Sequence, residues 1–224
     1  MAPLENKILS DHVYERLRQL IDEGVLAPGS KIRKKDLEEL LGVSQTPINE
    51  ALSRLAGEKF IYQENRRGYY IREYTCIELI DVFAVRGAVE GMATQLCCEV
   101  ASDAQIAEIG RFFSNYHFPL TAAEYQRYLK EDTVFHSRII KYCGNAAIQD
   151  MNRNNGYILK SNQRGLVRPP DETIDEHRAL IAAIVARDGA EANRIMTVHH
   201  LRSRHRLMET CTDSEEPTEA APTA

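Results

Sequence analysis

Asp132 and His136 stand at i and i+4 in the run EDTVFH. On a helix that spacing puts a carboxylate and an imidazole one turn apart on the same face, where both can converge on one ion. The pair therefore suits a divalent metal. His177 follows in DEHRALIAAI, and His199 and His200 in MTVHHL. Taken singly, each has an ordinary alternative. Asp132 can be a solvated helix acid, His136 a capped or core histidine, and His177 half of a surface pair with Glu176. His199 and His200 point roughly 100° apart around a helix, so they compete for any one position.

A second group of chemically suggestive residues lies near the N-terminus. The first 74 residues carry 12 basic and 12 acidic side chains, so the net charge of -5 belongs to the rest of the chain. Within that neutral part the basic residues cluster, as Lys31, Arg33, Lys34 and Lys35 and then Arg66 and Arg67. A charge run by itself is a solvated face; its place among structural elements decides whether it does more.

Those elements can be read from periodicity. Ser10 is an N-cap candidate for a helix with Val13, Leu17, Leu20 and Ile21 on one face, ending near Gly24. Pro28-Gly29 makes a turn, and 34–41 reads as a short helix stopped by Gly42. Ser44 can cap a third helix that tolerates Pro47 in its first turn and buries Ile48, Ala51, Leu52 and Leu55. Gln45, Thr46, Asn49 and Ser53 are left on the opposite face. After Gly57 the period changes to two, giving strands around 60–63 and 69–72 joined by a polar, basic turn. Three short helices with a hairpin make a winged helix-turn-helix.

The stretch PGSKIRKKDLEELLGVSQTPINEALSRLAGEKFIYQENRRGYYI closely resembles the winged helix of the GntR family, through its PG, GVS-x-TP, EAL-x-RL and terminal RG features. The resemblance covers about residues 8–74. It implies a DNA-binding face made of Lys35, Ser44, Gln45, Thr46, Asn49, Arg54, Arg66, Arg67 and Gly68. Ser44, Gln45, Thr46 and Asn49 are expected in the major groove, with Lys35 and Arg67 on phosphate or the minor groove. The family commonly has Arg where this chain has Gln45 and Asn49. Arg pairs best with guanine, and Gln and Asn with adenine, so an operator richer in A·T is expected at those positions.

Beyond Tyr74 no strand pattern appears. Segments 77–100, 102–114, 121–143, 145–161, 173–187 and 189–208 all read as helices of bundle length. The fold class is thus mainly α: residues 1–74 form the winged helix, 75–210 an all-helical bundle, and the acidic 211–224 a disordered tail. The bundle resembles the FCD effector-binding domain, on D-x-x-x-H, the EH histidine, the later histidine, and RGAVEGMA at 86–93, similar to that family's R-x-x-x-E helix. The resemblance implies that Asp132, His136, His177 and His199 hold one divalent metal, with His199 preferred to His200 by family spacing. Three imidazoles and a carboxylate suit zinc, nickel, manganese or iron. It also implies that Arg86 helps hold an acidic effector, a small organic or sugar acid, as a guanidinium clamp beside a Lewis-acidic ion would.

Composition agrees with a globular two-domain chain of 224 residues, 43% hydrophobic and 27% charged. No segment has signal-peptide character or the roughly 20 apolar residues of a membrane span, so a cytoplasmic protein is expected. The five cysteines are odd in number and lack metal-ligand spacing, so buried thiols are expected, with no disulfide. A homodimer reading a two-fold operator, and repression relieved by ligand, follow from the family. A metal-dependent hydrolase lacks a base, because Glu131 and Glu176 are turned roughly 100° from the ligands beside them. A regulator for which the metal itself is the signal is the other alternative.

Overall fold

The computed structural model describes residues 3–64, 67–155 and 166–211. Arg66, residues 156–165 (with the end of the helix expected over 145–161) and residues 212–224 lie outside the described residues. The chain divides between Tyr74 and Thr75 into two compact units, each described by itself; residues 150–155 group with the first.

The first unit holds α1 (Pro3–Asp22), β1 (Lys31–Ile32), α2 (Lys34–Leu41), α3 (Gln45–Gly57), β2 (Ile61–Glu64) and β3 (Gly68–Ile71). Val13, Tyr14, Leu17 and Leu20 of α1 share one core with Leu37 of α2, Ile48, Leu52 and Leu55 of α3, and Phe60, Ile61 and Ile71 around the strands. Helix α1 starts before Ser10, which is interior to it and caps nothing as an N-terminus. The hairpin gains a third strand: β1 pairs antiparallel with β3, Lys31 opposite Tyr70, in the order β1-β3-β2. Two residues are too few to show a period, which is why the sequence hides β1.

The second unit is helical among its described residues: α4 (Cys76–Val100), α5 (Asp103–Ile109), α6 (Ala122–Tyr142), α7 (Ala146–Asn155), α8 (Pro170–Val185) and α9 (Gly189–Cys211). Helix α7 runs into the residues grouped with the first unit. Thr75, Ser102 and Thr121 each close a capping box with an acid or amide three residues on, fixing where α4, α5 and α6 begin. Pro170 supplies a first helical position that needs no donor, so α8 starts three residues earlier than its apolar pattern suggests. Helix α5 is shorter than expected: it ends at Ile109 with Gly110 as its C-cap, and the turn that follows carries Phe113 at a left-handed φ of 55°.

Helices α4 and α9 run antiparallel in close contact, and glycine makes this possible. A Cβ on Gly91 would lie 2.4 Å from Thr197 Oγ1, and one on Gly87 3.5 Å from the Thr197 carbonyl. The Thr197 hydroxyl donates to the Gly87 carbonyl across the seam. The same pairing overturns the expectation of no disulfide. Cys76 opens α4 and Cys211 closes α9, and the two are bonded with Cα atoms 6.1 Å apart. Their 135-residue separation gives no local spacing to read. Cys97, Cys98 and Cys143 are buried free thiols.

Candidate functional site

In the first unit, the turn before α3 is set by Gly42, whose φ of 64° ends α2 while its amide donates to the Glu38 carbonyl. Ser44 occupies the N-cap of α3, but its hydroxyl makes no capping bond. Because Pro47, Ile48, Ala51, Leu52 and Leu55 face the core, Gln45 and Thr46 stand exposed at the start of the helix. Asn49 is half-buried, and its Oδ1 has no hydrogen-bond partner among the described residues. Lys35 is exposed on α2. Arg67 is 74% exposed at the hairpin tip, with Glu64 at 3.5 Å, and Gly68 takes the φ of 112° that lets β3 start there. Arg54 has other company: it lies over the Tyr14 ring at 3.7 Å, 3.0 Å from Asp11 and 3.3 Å from Glu58. β1 brings Lys31 beside the wing, with its Nζ 5.8 Å above Tyr70, while Tyr70 stacks on Tyr62.

In the second unit, α6 presents Tyr128, Asp132 and His136 at i, i+4 and i+8, all buried on one face. Helix α8 adds His177 and α9 adds His199, also buried. His136, His177 and His199 each offer a ring nitrogen within 4.8 Å of the others. Asp132 Oδ1 lies 3.4 Å from His177 Nε2 and 3.8 Å from His136 Nε2. Both of those Nε2 atoms are buried without a hydrogen-bond partner among the described residues.

The remaining ring nitrogens explain how the imidazoles are oriented. His136 Nδ1 donates to Glu90 Oε2 at 2.6 Å, and His199 Nδ1 donates to Glu176 Oε2 at 2.8 Å. His177 Nδ1 meets the Tyr128 hydroxyl at 2.8 Å, and that hydroxyl meets Thr173 Oγ1 at 2.9 Å. Thr173 gives its own proton to the carbonyls of Pro169 and Pro170. Nδ1 of each of the three rings is thus engaged by a neighbouring side chain, whereas Nε2 of His136 and of His177 has no hydrogen-bond partner among the described residues. Phe113 stacks flat on the His177 ring, with centroids 4.4 Å apart and planes at 5°.

Burial, with His199 and His136 nearby, holds the His177 imidazole well below its usual range; burial likewise lowers His199, against a raising hydrogen bond from Glu176. For Glu90, burial acts upward, but Arg86, His200 and His136 outweigh it and hold the carboxyl well below its usual range. Glu176 is held low in the same way, by hydrogen bonds from Arg168, His199 and Arg202 acting against burial. Neutral imidazoles backed by ionised carboxylates are what a d-block cation requires of its surroundings. Asp132, His136, His177 and His199 therefore fit such an ion.

His200 is fully buried, with Nε2 3.1 Å from Glu90 Oε2 and the Phe83 ring centroid 6.1 Å from its own, and it groups with Glu90 and His136 rather than with His177 and His199. Arg86 is also buried, and its Nε donates to Glu90 Oε1 at 2.6 Å, so its nearest charged partner is within its own helix. A cleft of about 280 Å³ between α8 and α9 reaches Glu176 and His199.

Residues 81–203 match the FCD domain model, and residues 9–71 match that of bacterial regulatory proteins, gntR family. The chain belongs to the gntR family of regulators and carries an FCD domain. Its relatives are transcription regulators and not enzymes. HTH-type transcriptional repressor GlaR of Escherichia coli is 27% identical over 84% of this chain and 90% of its own length. A probable D-xylose utilization operon transcriptional repressor of Paenarthrobacter nicotinovorans is 24% identical over 88% and 87%. Among solved structures, E. coli McbR/YncC superposes with a TM-score of 0.71 at 20% identity, covering 90% of this chain and 98% of that one, which shows a shared fold. No helix among the described residues of this regulator is long and apolar enough to cross a membrane.

Sequence reasoning passed over the residues that hold the histidines. Tyr128 was visible as the first member of an i, i+4, i+8 series ending in His136. Glu176, set aside because it is turned from His177, is turned toward His199 instead. Arg168, which the sequence offered as a possible contributor to effector binding without a secure alignment, is buried against Glu176, His199 and Ser203 just before α8.

Proposed function

We propose that this regulator is a homodimeric repressor whose operator affinity is set by a small carboxylate bound beside a divalent metal. In this reading residues 1–74 read DNA and 75–210 sense the effector. Asp132, His136, His177 and His199 would hold the ion. The observation that carries this is the pair of buried, unpartnered Nε2 atoms facing Asp132, each on a ring whose other nitrogen is already committed. Such an arrangement costs stability unless something engages those nitrogens. When bound, the metal supplies a Lewis-acidic point to which an effector carboxylate can bind. Repression is the role named for GlaR and for the D-xylose operon regulator. Gln45, Thr46 and Asn49 would read the major groove, with Lys35 and Arg67 on the backbone.

One observation favours a second reading, in which the metal itself is the signal. Arg86 grips Glu90, and Glu90 orients His136, so the arginine supports a ligand rather than clamping an acid. Operator binding titrated against zinc and against small hydroxy and sugar acids, in wild type and Arg86→Ala, separates the two. Retained metal with a lost acid response supports the first reading; lost metal supports the second. Elemental analysis showing no metal, together with an unchanged effector response in His136→Ala, would remove both.

A further inference from the structure

Three of the five cysteines are chemically quiet. Burial pushes the Cys97 thiol up to about 12 and the Cys98 thiol up to about 11, and raises Cys143 as well. Thiols so placed make poor nucleophiles. Cys76 differs in place: it is partly exposed at the first position of α4. It also has a partner, since Cys211 lies with its Cα 6.1 Å away, inside the range a bridge can span.

We propose that Cys76 and Cys211 are a thiol-oxidation site through which a hydroperoxide acts on this regulator. The bridge seen in the structure is then the oxidised state, and the dithiol is the state a thiol reductant restores. The Cys76 thiolate attacks hydrogen peroxide; an S–O bond forms, the O–O bond breaks, and the departing hydroxide takes up a proton as water. The Cys211 thiolate then attacks the resulting sulfenic sulfur; the S–S bond forms, the S–O bond breaks, and a second water leaves. Two electrons pass from the two sulfurs to the peroxide, and a dithiol returns them.

The position gives this chemistry a consequence. Asp132, His136, His177 and His199 all lie between the two cysteines in the chain, so the bridge closes the candidate metal centre into one covalent ring. It ties the first residue of α4 to the last of α9, two residues after the DNA-binding unit ends. Oxidation thus fixes the start of the helix that leads from the winged helix to Arg86 and Glu90. The proposal does not depend on the identity of any metal or effector.

The test uses the full chain, reduced, desalted and treated with hydrogen peroxide. The expected product has lost two hydrogens by mass and yields one linked peptide pair, Cys76 with Cys211. Its thermal midpoint should rise by on the order of 10 °C and fall back with dithiothreitol. Its affinity for a DNA fragment selected by the protein from random sequence should change several-fold. Cys76→Ser and Cys211→Ser should each abolish all three responses while retaining the reduced protein's midpoint and DNA binding. Bridges between chains, oxidation of Cys97, Cys98 or Cys143 ahead of Cys76, or a Cys76–Cys211 bridge that leaves midpoint and DNA affinity unmoved would each overturn the proposal.

Discussion

Stripping any metal with a chelator exposes what the buried histidines cost the fold. His177, His199 and His200 are held below their ordinary range, mainly by burial. In the unfolded chain they titrate near 6.5. Below that pH the unfolded state takes up protons that the folded state refuses, so stability falls with pH and levels off only at the lower folded values. Each histidine contributes at most about 1.4 kcal/mol per pH unit in that window, so three give up to roughly 4 kcal/mol per unit. Glu90 and Glu176 run the other way, adding stability above about 4.3 that is lost only as pH falls through their depressed values. They are therefore constant between pH 5.5 and 6.5. Calorimetry in chelator should show the midpoint of the second unit falling by up to roughly 10 °C between pH 6.5 and 5.5. A chelated midpoint that is flat from pH 7.5 to 5.5 would refute the argument, by showing that the rings titrate in the fold as they do in water.

Glu176→Gln should weaken metal binding on the order of 10- to 100-fold, since His199 loses its ionised acceptor; competition with a chromophoric chelator reads this directly. Gly91→Val should lower the thermal midpoint, at a cost of about 1–3 kcal/mol, because a branched side chain meets Thr197 and Asn193 at the α4–α9 seam. Lys35→Ala should weaken binding to all DNA alike and reduce the salt slope by about one, measured by titration at several ionic strengths. Selection from random DNA should return adenine opposite Gln45 and Asn49, and guanine once both are changed to Arg; guanine with the native residues would contradict that pairing.

The parts of the fold that were legible are those with local signals. Val13, Leu17 and Leu20 announce α1, and the apolar runs after Ile77 and Thr121 announce α4 and α6, because each involves residues within a turn or two. The i, i+4 pairing of Asp132 with His136 is legible for the same reason. What could not be read depends on contacts between distant segments. The β1 strand exists only through β3, the Cys76–Cys211 bridge only through antiparallel helices, and the role of Glu176 only through His199 on the following helix. Arg168 was illegible in another sense, since nothing in a stretch between helices says that its guanidinium will be buried.

Helix α4 has 25 residues without a proline and without a break, about 37 Å of continuous hydrogen-bonded rod. Its first turn follows directly on the last residue of the DNA-binding unit, and Arg86 and Glu90 sit some ten and fourteen residues further along. A rod of that length does not absorb a push in its middle; it tilts or turns as a whole. Glu90 also grips a ring on α6, and Gly87 and Gly91 let α9 ride against its backbone, so whatever draws those helices together moves the rod too. Within the second unit, displacement at the histidines is therefore displacement of a single rod that begins at Thr75.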